Sequence, residues 1–257
     1  ALNEPAYAES AGRAMDFILG SLRTPDGRLL HCFRDGQSAF AANLDDYAFI
    51  IWALLELYEA TFDAAHLSRA LEFQSHLTAF FRDEKDGGFF FTPKDAKPLP
   101  VRPKELHDGA IPSGNSVAFL NMLRLFRITG DLKLDQGARD ICRAFGEQAR
   151  AVPTAFAHFL CGLDFAIGPA SEVIIVGGKD ASDTQALLRA LRRSFTPNKI
   201  VIFRQEGPGR TGMETIAPFI QSHGCIDGRA TAYVCSNFTC RLPATDPEQM
   251  MSLLNEK

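Results

Sequence analysis

The hydrophobic residues in the first two thirds of the chain recur with a helical period and predict six helices of two alternating kinds. One kind carries a single apolar stripe opposite a polar face. The other is apolar on most sides, and a helix that is apolar all round is buried all round. The alternation predicts an outer row of one-faced helices around an inner row of enclosed helices. The one-faced segments are residues 5–22, 64–81 and 132–149, and the enclosed segments are residues 45–62, 115–128 and 153–167.

An internal repeat supports the pairing of these helices into hairpins. The motif Thr61-x-Asp63 recurs as Thr129-x-Asp131, a shift of 68 positions (129 − 61 = 68). Stacked hairpins that bury each other's faces gain stability in this way. We therefore predict a mainly α protein whose helices form a partial (α/α) toroid, with a generic helical array or solenoid as the alternative.

The pattern changes after residue 168, where short β-branched runs alternate with one-faced helical segments. Two of these runs flank a helix and predict a βαβ unit. We therefore divide the chain into a helical-hairpin domain, residues 1–168, and a small α/β subdomain, residues 169–257. The predicted strands are residues 172–177, 199–203 and 231–235, and the predicted helices are residues 183–193 and 246–254.

The segment between the third and fourth helices combines a turn with a long irregular stretch. Residues 86–93 predict a tight turn and a short strand. Residues 94–114 are rich in Pro, Lys and Arg and are too long for a simple connector. Because long loops inside compact domains tend to be functional, we expect this segment to contribute to a site.

Composition excludes several classes of function. A formal net charge of -4 gives no electrostatic reason to bind nucleic acid or an anionic membrane, and no apolar run reaches membrane-spanning length. The six cysteines are scattered, so reduced thiols in a cytoplasmic protein are the expectation. The chain opens at Ala1 in what reads as a helix-entry loop without a methionine, which favours a fragment.

Four motifs, in order along the chain, carry a family resemblance: Leu44-Asp45-Asp46-Tyr47-Ala48-Phe49, Asp86-Gly87-Gly88-Phe89-Phe90, Pro112-Ser113-Gly114-Asn115-Ser116 and Thr231-Ala232-Tyr233-Val234-Cys235-Ser236-Asn237-Phe238-Thr239-Cys240. They resemble the spermatogenesis-associated, thioredoxin-domain-containing proteins and their bacterial relatives. The resemblance implies a barrel of the six-hairpin glycosidase type, followed by a short α/β tail and preceded by a thioredoxin-like domain. This chain resembles the C-terminal part of such a protein, without the thioredoxin-like domain and without a Cys-x-x-Cys motif.

Six helices make only half of a closed ring. Half a ring would expose inner helices to water, so the expected partners are the missing barrel half, the thioredoxin-like domain or a second copy of the chain. The resemblance also implies a sugar or sugar-acid ligand, although fold analogy alone is weak evidence for an activity.

Asp45 and Asp46 stand at the start of an inner helix. Carboxylates there cap free N–H groups and oppose the helix dipole, which is one interpretation. The other is an acid or a base for sugar chemistry at the mouth of the toroid. Capping accounts for one of the two and leaves the other for a functional role.

A second polar group precedes and opens the fourth helix. His107 beside Asp108 is the best general-base pair in the chain, and the alternative is a solvated, charged loop. We assign catalytic roles to Asp45, Asp46, His107 and Asp108. The predicted substrate-binding residues are Tyr47, Phe90, Arg102, Lys104, Ser113 and Asn115.

The cysteines near the C-terminus admit a further interpretation. Cys235 and Cys240, with His223 and Cys225 upstream, have ligand types that zinc prefers, but the spacing is long. Buried structural thiols are the favoured interpretation, so we predict neither a metal nor another cofactor.

The leading hypothesis is a carbohydrate-binding or carbohydrate-modifying toroid fragment, glycosidase-like or epimerase-like if it is an enzyme. The rival is a non-catalytic domain that docks a thioredoxin-like domain or a peptide. A metal or redox function of the tail is the third possibility.

Overall fold

The structure is a computed structural model that describes residues 4–97, 100–207 and 212–256, so residues 1–3 of the predicted entry loop lie outside the described part. The chain is mainly helical, with a two-stranded and a four-stranded sheet. The helices are α1 (Pro5–Ser21), α2 (Leu44–Thr61), α3 (Ala64–Phe81), α4 (Gly114–Thr129), α5 (Leu132–Ala151), α6 (Ala157–Ile167), α7 (Ser182–Arg193), α8 (Met213–Ile216) and α9 (Pro247–Asn255). The strands are β1 (Leu30–Arg34), β2 (Gln37–Ala41), β3 (Ser171–Gly177), β4 (Lys199–Gln205), β5 (Thr231–Ser236) and β6 (Thr239–Cys240).

Helix α4 lies at the centre of the helical layer. Thirteen of its sixteen residues are buried, and it packs against α2, α5 and α6. Helices α3 and α5 each bury a single face, as their apolar stripes predict. The sequence-based expectation of enclosed helices alternating with one-faced helices therefore describes α3, α4 and α5 correctly.

The 68-residue repeat corresponds to two hairpins with the same turn chemistry. Thr61 donates its hydroxyl hydrogen to the Leu57 carbonyl at 2.7 Å, as Thr129 does to that of Leu125 at 2.8 Å. The residue after each threonine has a positive φ, 56° at Phe62 and 75° at Gly130. An aspartate then caps the next helix in both hairpins. The repeated motif is therefore the helix–helix turn itself.

The predicted βαβ unit is present and forms one side of the C-terminal sheet, whose strand order is β4-β3-β5-β6. Strands β3 and β4 are parallel, with Val173 opposite Val201, and α7 connects them. Strand β5 pairs antiparallel on the other side of β3. A buried ion pair joins this sheet to the helices, because Arg127 of α4 lies 2.7 Å from the carboxylate of Glu172, which is 1% exposed.

Two local predictions need correction. The predicted strand within residues 86–93 amounts to one isolated bridge between Arg82 and Phe89, although the turn is real and has positive φ at Gly87 and Gly88. The hairpin of β1 and β2 was missed. Its turn contains an Asp-Gly pair, and the strands around it are mostly exposed and lack an apolar run.

Helices α2 and α6 are less enclosed than predicted. Trp52 of α2 is only half-buried, and α6 buries Phe159, Gly162 and Phe165 while leaving Ile167 77% exposed. Within the described residues, no helix covers the side of α6 that carries Ile167. This side of an apolar helix is therefore exposed to solvent. One side of the helical layer is thus open.

Candidate functional site

Asp45 lies where the first turn of α2 meets the start of α4. A Cβ added to Gly114 would lie only 2.3 Å from its Oδ1, so the glycine permits this close approach. Burial raises the pKa of Asp45, the backbone N–H of Gly114 opposes the rise, and nearby Asp46 and Glu105 add to it. Asp45 is therefore a half-buried carboxyl group that holds its proton more readily than an exposed aspartate does.

Asp46 has a structural role. Its Oδ2 accepts the N–H of Asn43 at 2.7 Å, which completes a capping box at the start of α2. The same oxygen lies 2.8 Å from Nδ1 of His31 in β1. This interaction anchors the β1–β2 hairpin to α2, and His31 is not among the predicted site residues.

Tyr47 lies in the hydrophobic core and is only 1% exposed. Its hydroxyl accepts the N–H of Leu29 at 3.0 Å, and its ring packs edge-on against Phe73 and Phe81. No ligand can reach this side chain from the surface, so we remove Tyr47 from the candidate site.

The basic residues of the long segment are largely occupied by local contacts. Lys104 lies 2.7 Å from the carboxylate of Asp83. Burial raises the pKa of Asp83, but the hydrogen bond from Lys104 and nearby backbone N–H groups outweigh it, and the net pKa is lowered. Arg102 lies over the Phe90 ring, 4.1 Å from its centroid, and donates to the Thr92 carbonyl at 2.5 Å. These contacts fold the segment back onto the turn before it.

Ser113 and Asn115 are buried, and the polar atoms of both side chains form hydrogen bonds. The Ser113 hydroxyl accepts the N–H of Ser116 at 3.1 Å and donates to the Leu106 carbonyl at 2.9 Å. The Asn115 amide accepts the N–H of Phe89 at 2.8 Å and donates to the carbonyls of Phe89 and Glu105 at 2.9 and 2.8 Å. Both residues therefore hold the long segment against α4.

His107 and Asp108, although adjacent in sequence, do not form an ion pair. His107 is exposed and meets the ring of Phe156 edge-on. Asp108 turns inward, where its Oδ2 accepts the N–H groups of His158 and Phe159 at 2.8 and 3.2 Å. Asp108 thus caps the start of α6, and the predicted general-base pair is replaced by this cap.

His158 is a second residue that sequence reasoning missed. Its ring packs against Trp52 of α2, with the two centroids 4.9 Å apart. Burial lowers the pKa of His158 and the charge of Asp108 opposes this, so the imidazole is neutral near pH 7. Its Nε2 is buried without a hydrogen-bond partner in the described structure. A buried polar atom left in this state marks a place where a ligand atom or water can bind.

The contact with Trp52 places His158 beside a face of α2 that combines aromatic and acidic side chains. Asp45, Phe49, Trp52 and Glu56 recur at i, i+4, i+7 and i+11 and so share one face of α2. We call the surface formed by these four residues and His158 the open wall. It combines a carboxyl group near the helix start, two aromatic rings and a neutral imidazole.

Cavities elsewhere do not include the predicted site residues. A groove of about 630 Å³ lies between α3 and α5 and is lined by Gln74, Arg82, Phe89 and Asp140 among others. Gln74 is buried there with its Oε1 unpaired. The lining includes two carboxylates, Asp131 and Asp140, and none of the predicted site residues.

The C-terminal cysteines correct the expectation of reduced thiols. Cys235 and Cys240 form a disulfide, and the four other cysteines are free. Together with His223 they bring three potential metal-ligand atoms within 4.8 Å of one another. Because the two sulfur atoms are bonded to each other, they are not thiolates and cannot ligate a metal in this form.

The described fold is that of a helical-hairpin protein with an α/β tail. No protein-family model matches the chain. Spermatogenesis-associated protein 20 of Homo sapiens is 35% identical over 213 residues, 82% of this chain, and its Mus musculus counterpart is 35% identical over 83% of the chain. The resemblance inferred from the motifs is thereby confirmed. The chain spans only 27% of the length of these relatives.

Two other comparisons cover the chain differently. An uncharacterized protein of Caenorhabditis elegans is 27% identical over the whole chain, which corresponds to 35% of its own length. The structure of cellobiose 2-epimerase from Spirochaeta thermophila aligns with 56% of this chain and 38% of its own, at 25% identity and a TM-score of 0.46.

In the described residues, no helix is both long and apolar enough to cross a membrane.

Proposed function

We propose that the helices of this chain form one side of a carbohydrate-binding (α/α) toroid and that the open wall is its sugar-binding surface. The observation that carries this proposal is the packing of His158 against Trp52, with no hydrogen-bond partner for the imidazole Nε2 among the described residues. Sugars present C–H faces for aromatic rings and hydroxyl groups for polar atoms, and the open wall offers both kinds of partner.

The titratable groups of the open wall suit proton transfer to or from a sugar. Burial favours the uncharged form of both His158 and Asp45, by lowering the pKa of the first and raising that of the second. A neutral imidazole can accept a proton, and a carboxyl group with a raised pKa can donate one. His158 is therefore the proposed base and Asp45 the proposed acid of a glycosidase-like or epimerase-like reaction.

The proposed site needs a second wall. Asp45 and Trp52 are about 10 Å apart along α2, enough for a site of one or two sugar rings. The open side of α6 and the small share of the relatives that the chain spans both support a closing part from outside this chain. The missing barrel half, the thioredoxin-like domain and a second copy of the chain are the proposed candidates.

Trp52 is the single tryptophan of the chain, so its fluorescence reports on the open wall alone. Titration with cellobiose and with a free uronic acid should give a saturable change for at least one of them. The His158→Gln variant should weaken that response about tenfold, because a ligand partner is removed. His66→Gln on α3 is the matched control and should bind as the unchanged protein does. A linear response to both sugars, together with no heat in calorimetry, argues against a sugar site.

The interaction-domain alternative is supported by a different observation. Ile167 and Cys161 of α6 are exposed apolar side chains. A thioredoxin-like domain that docks there should be retained by the immobilised chain and released by Ile167→Glu. A sugar-binding role alone predicts no such retention.

A further inference from the structure

The turn between β5 and β6 presents the Cys235–Cys240 disulfide at the edge of the C-terminal sheet. The two cysteines face each other as a cross-strand pair. The turn residues Asn237 and Phe238 both have positive φ, 51° and 62°, as in a two-residue hairpin turn. Strand β6 is the outermost strand in the sheet order, so a reagent in solution can approach the pair from the edge.

The two sulfur atoms differ in accessibility. Cys235 is 2% exposed, whereas Cys240 is exposed. An external thiolate can therefore attack Cys240, and Cys235 is then the leaving group. This asymmetry gives the exchange reaction one direction of attack.

A histidine accompanies the exposed sulfur. Nε2 of His223 lies 3.5 Å from Sγ of Cys240, and its Nδ1 lies 3.4 Å from the hydroxyl of Ser222. The ring packs edge-on against Tyr233, with centroids 4.6 Å apart. Burial is the main cause that lowers the pKa of His223, so the imidazole next to the sulfur is neutral near pH 7 and can accept a thiol proton.

We propose that the Cys235–Cys240 pair is a thiol–disulfide exchange site, which reacts with an external dithiol through Cys240 and is assisted by His223. This site is independent of the proposed sugar site. The thiolate of the dithiol bonds to Sγ of Cys240, and the electron pair of the broken disulfide leaves on Sγ of Cys235, which takes up a proton. The second thiol of the reagent then closes its own disulfide and releases Cys240 as a thiolate next to His223. Counted from the neutral dithiol, two electrons and two protons have then passed to the protein: one proton is on Cys235, and the proton of the second thiol is on His223, beside the Cys240 thiolate.

The hairpin is held in place without help from the disulfide. The N–H of Phe238 donates to Oε2 of Glu172 at 3.2 Å, and Arg127 donates to Oδ1 of Asn237 at 3.0 Å. The Phe238 ring also packs edge-on against Phe126. Reduction therefore leaves the two thiols facing each other, which permits re-oxidation.

Differential alkylation of the folded chain tests the proposal. After treatment with dithiothreitol in native buffer, peptide mass spectrometry should find Cys235 and Cys240 reduced, with Cys240 alkylated first. In the reduced protein, His223→Gln should slow alkylation of Cys240 about tenfold at neutral pH, while His66→Gln changes nothing. Circular dichroism of each variant checks that it is folded.

A trapping variant gives a second readout. Cys235→Ser should hold a stable mixed disulfide between Cys240 and thionitrobenzoate, whereas the reduced unchanged protein should expel this group and close its own disulfide. The proposal is overturned if the pair resists dithiothreitol until urea unfolds the chain, because the disulfide would then only stabilise the fold. It is also overturned if the reduced protein binds one zinc ion and then fails to re-oxidise.

Discussion

The start of α4 and the open wall both place polar side chains in buried or half-buried positions, and they differ in how many hydrogen bonds those side chains make. Asn115 at the start of α4 is fully buried and uses its amide oxygen and nitrogen for three bonds. His158 in the open wall is half-buried, and its Nε2 has no hydrogen-bond partner in the part of the chain that the structure describes. A cluster whose polar atoms all have hydrogen-bond partners holds a loop in place. A cluster with a buried polar atom that has no partner can bind a ligand atom there. The following variants test this distinction.

The largest effect is expected for Asn115→Ala. Removal of the amide leaves the N–H and carbonyl of Phe89 and the carbonyl of Glu105 without partners in a buried place, so stability should fall by about 3 kcal/mol or more. Urea unfolding measures the change. Gln136→Ala, on the exposed face of α5, is the control and should stay within about 0.5 kcal/mol. A similarly small effect at Asn115 would show that the long segment is held by other contacts.

A smaller loss is expected for Asp108→Ala. This carboxylate caps α6 through the N–H groups of His158 and Phe159 and also accepts that of Ser113 at 2.9 Å. Removal of the cap should cost about 2 kcal/mol in thermal or urea unfolding. Asp108→Asn keeps one acceptor oxygen and should lose less. Equal losses in the two variants would mean that the charge, rather than the cap, is what matters.

His158→Gln should leave stability nearly unchanged and alter pH dependence instead. A folded-state pKa below 6.5 means that the unfolded chain takes up a proton first as the pH falls. The stability contributed by neutral His158 is therefore complete above pH 6.5 and is lost as the pH falls through the lowered folded-state pKa. Trp52 fluorescence should change with a midpoint below 6.5 and lose this transition in the variant. A midpoint above 6.5 would contradict the burial argument.

A small change of opposite sign, a gain in stability, is expected for Asp45→Asn. Because the folded-state pKa is raised, folding favours the protonated form, and stability declines as the pH rises from the ordinary value of 3.8 through the folded-state pKa. The amide keeps the acceptor for Gly114 and removes the charge. We expect a gain within about 1 kcal/mol at neutral pH that disappears in acid. A loss at neutral pH would show that the carboxylate is needed for its charge.

The helices were predictable because they follow from the periodicity of apolar residues, and the enclosure of α4 follows from its lack of a polar face. The β1–β2 hairpin was overlooked, although Asp35-Gly36, both at positive φ, is a recognised turn signal. His31 was missed with it. The Asp-Gly turn signal was present in the sequence, but the strands around it are mostly exposed and lack the apolar run that would have indicated a hairpin.

The candidate site was harder to predict than the fold. Asp45 was identified from its place at a helix start, but Tyr47, Ser113 and Asn115 are buried, and sequence position does not distinguish a buried polar residue from an accessible one. The partner of Trp52 is His158, 106 positions away (158 − 52 = 106). Only tertiary packing brings these two rings together, so no local pattern marks His158.

The ion pair between Arg127 and Glu172 makes the C-terminal sheet a fixed part of the molecule. The Glu172 side chain is almost fully buried and that of Arg127 is mostly buried, so separating them would leave a buried charge without a partner. A protease that cuts the link at Gly168 should therefore yield a nicked protein whose two pieces elute together. Neither piece produced alone should remain soluble, since each would expose one half of the interface around this ion pair.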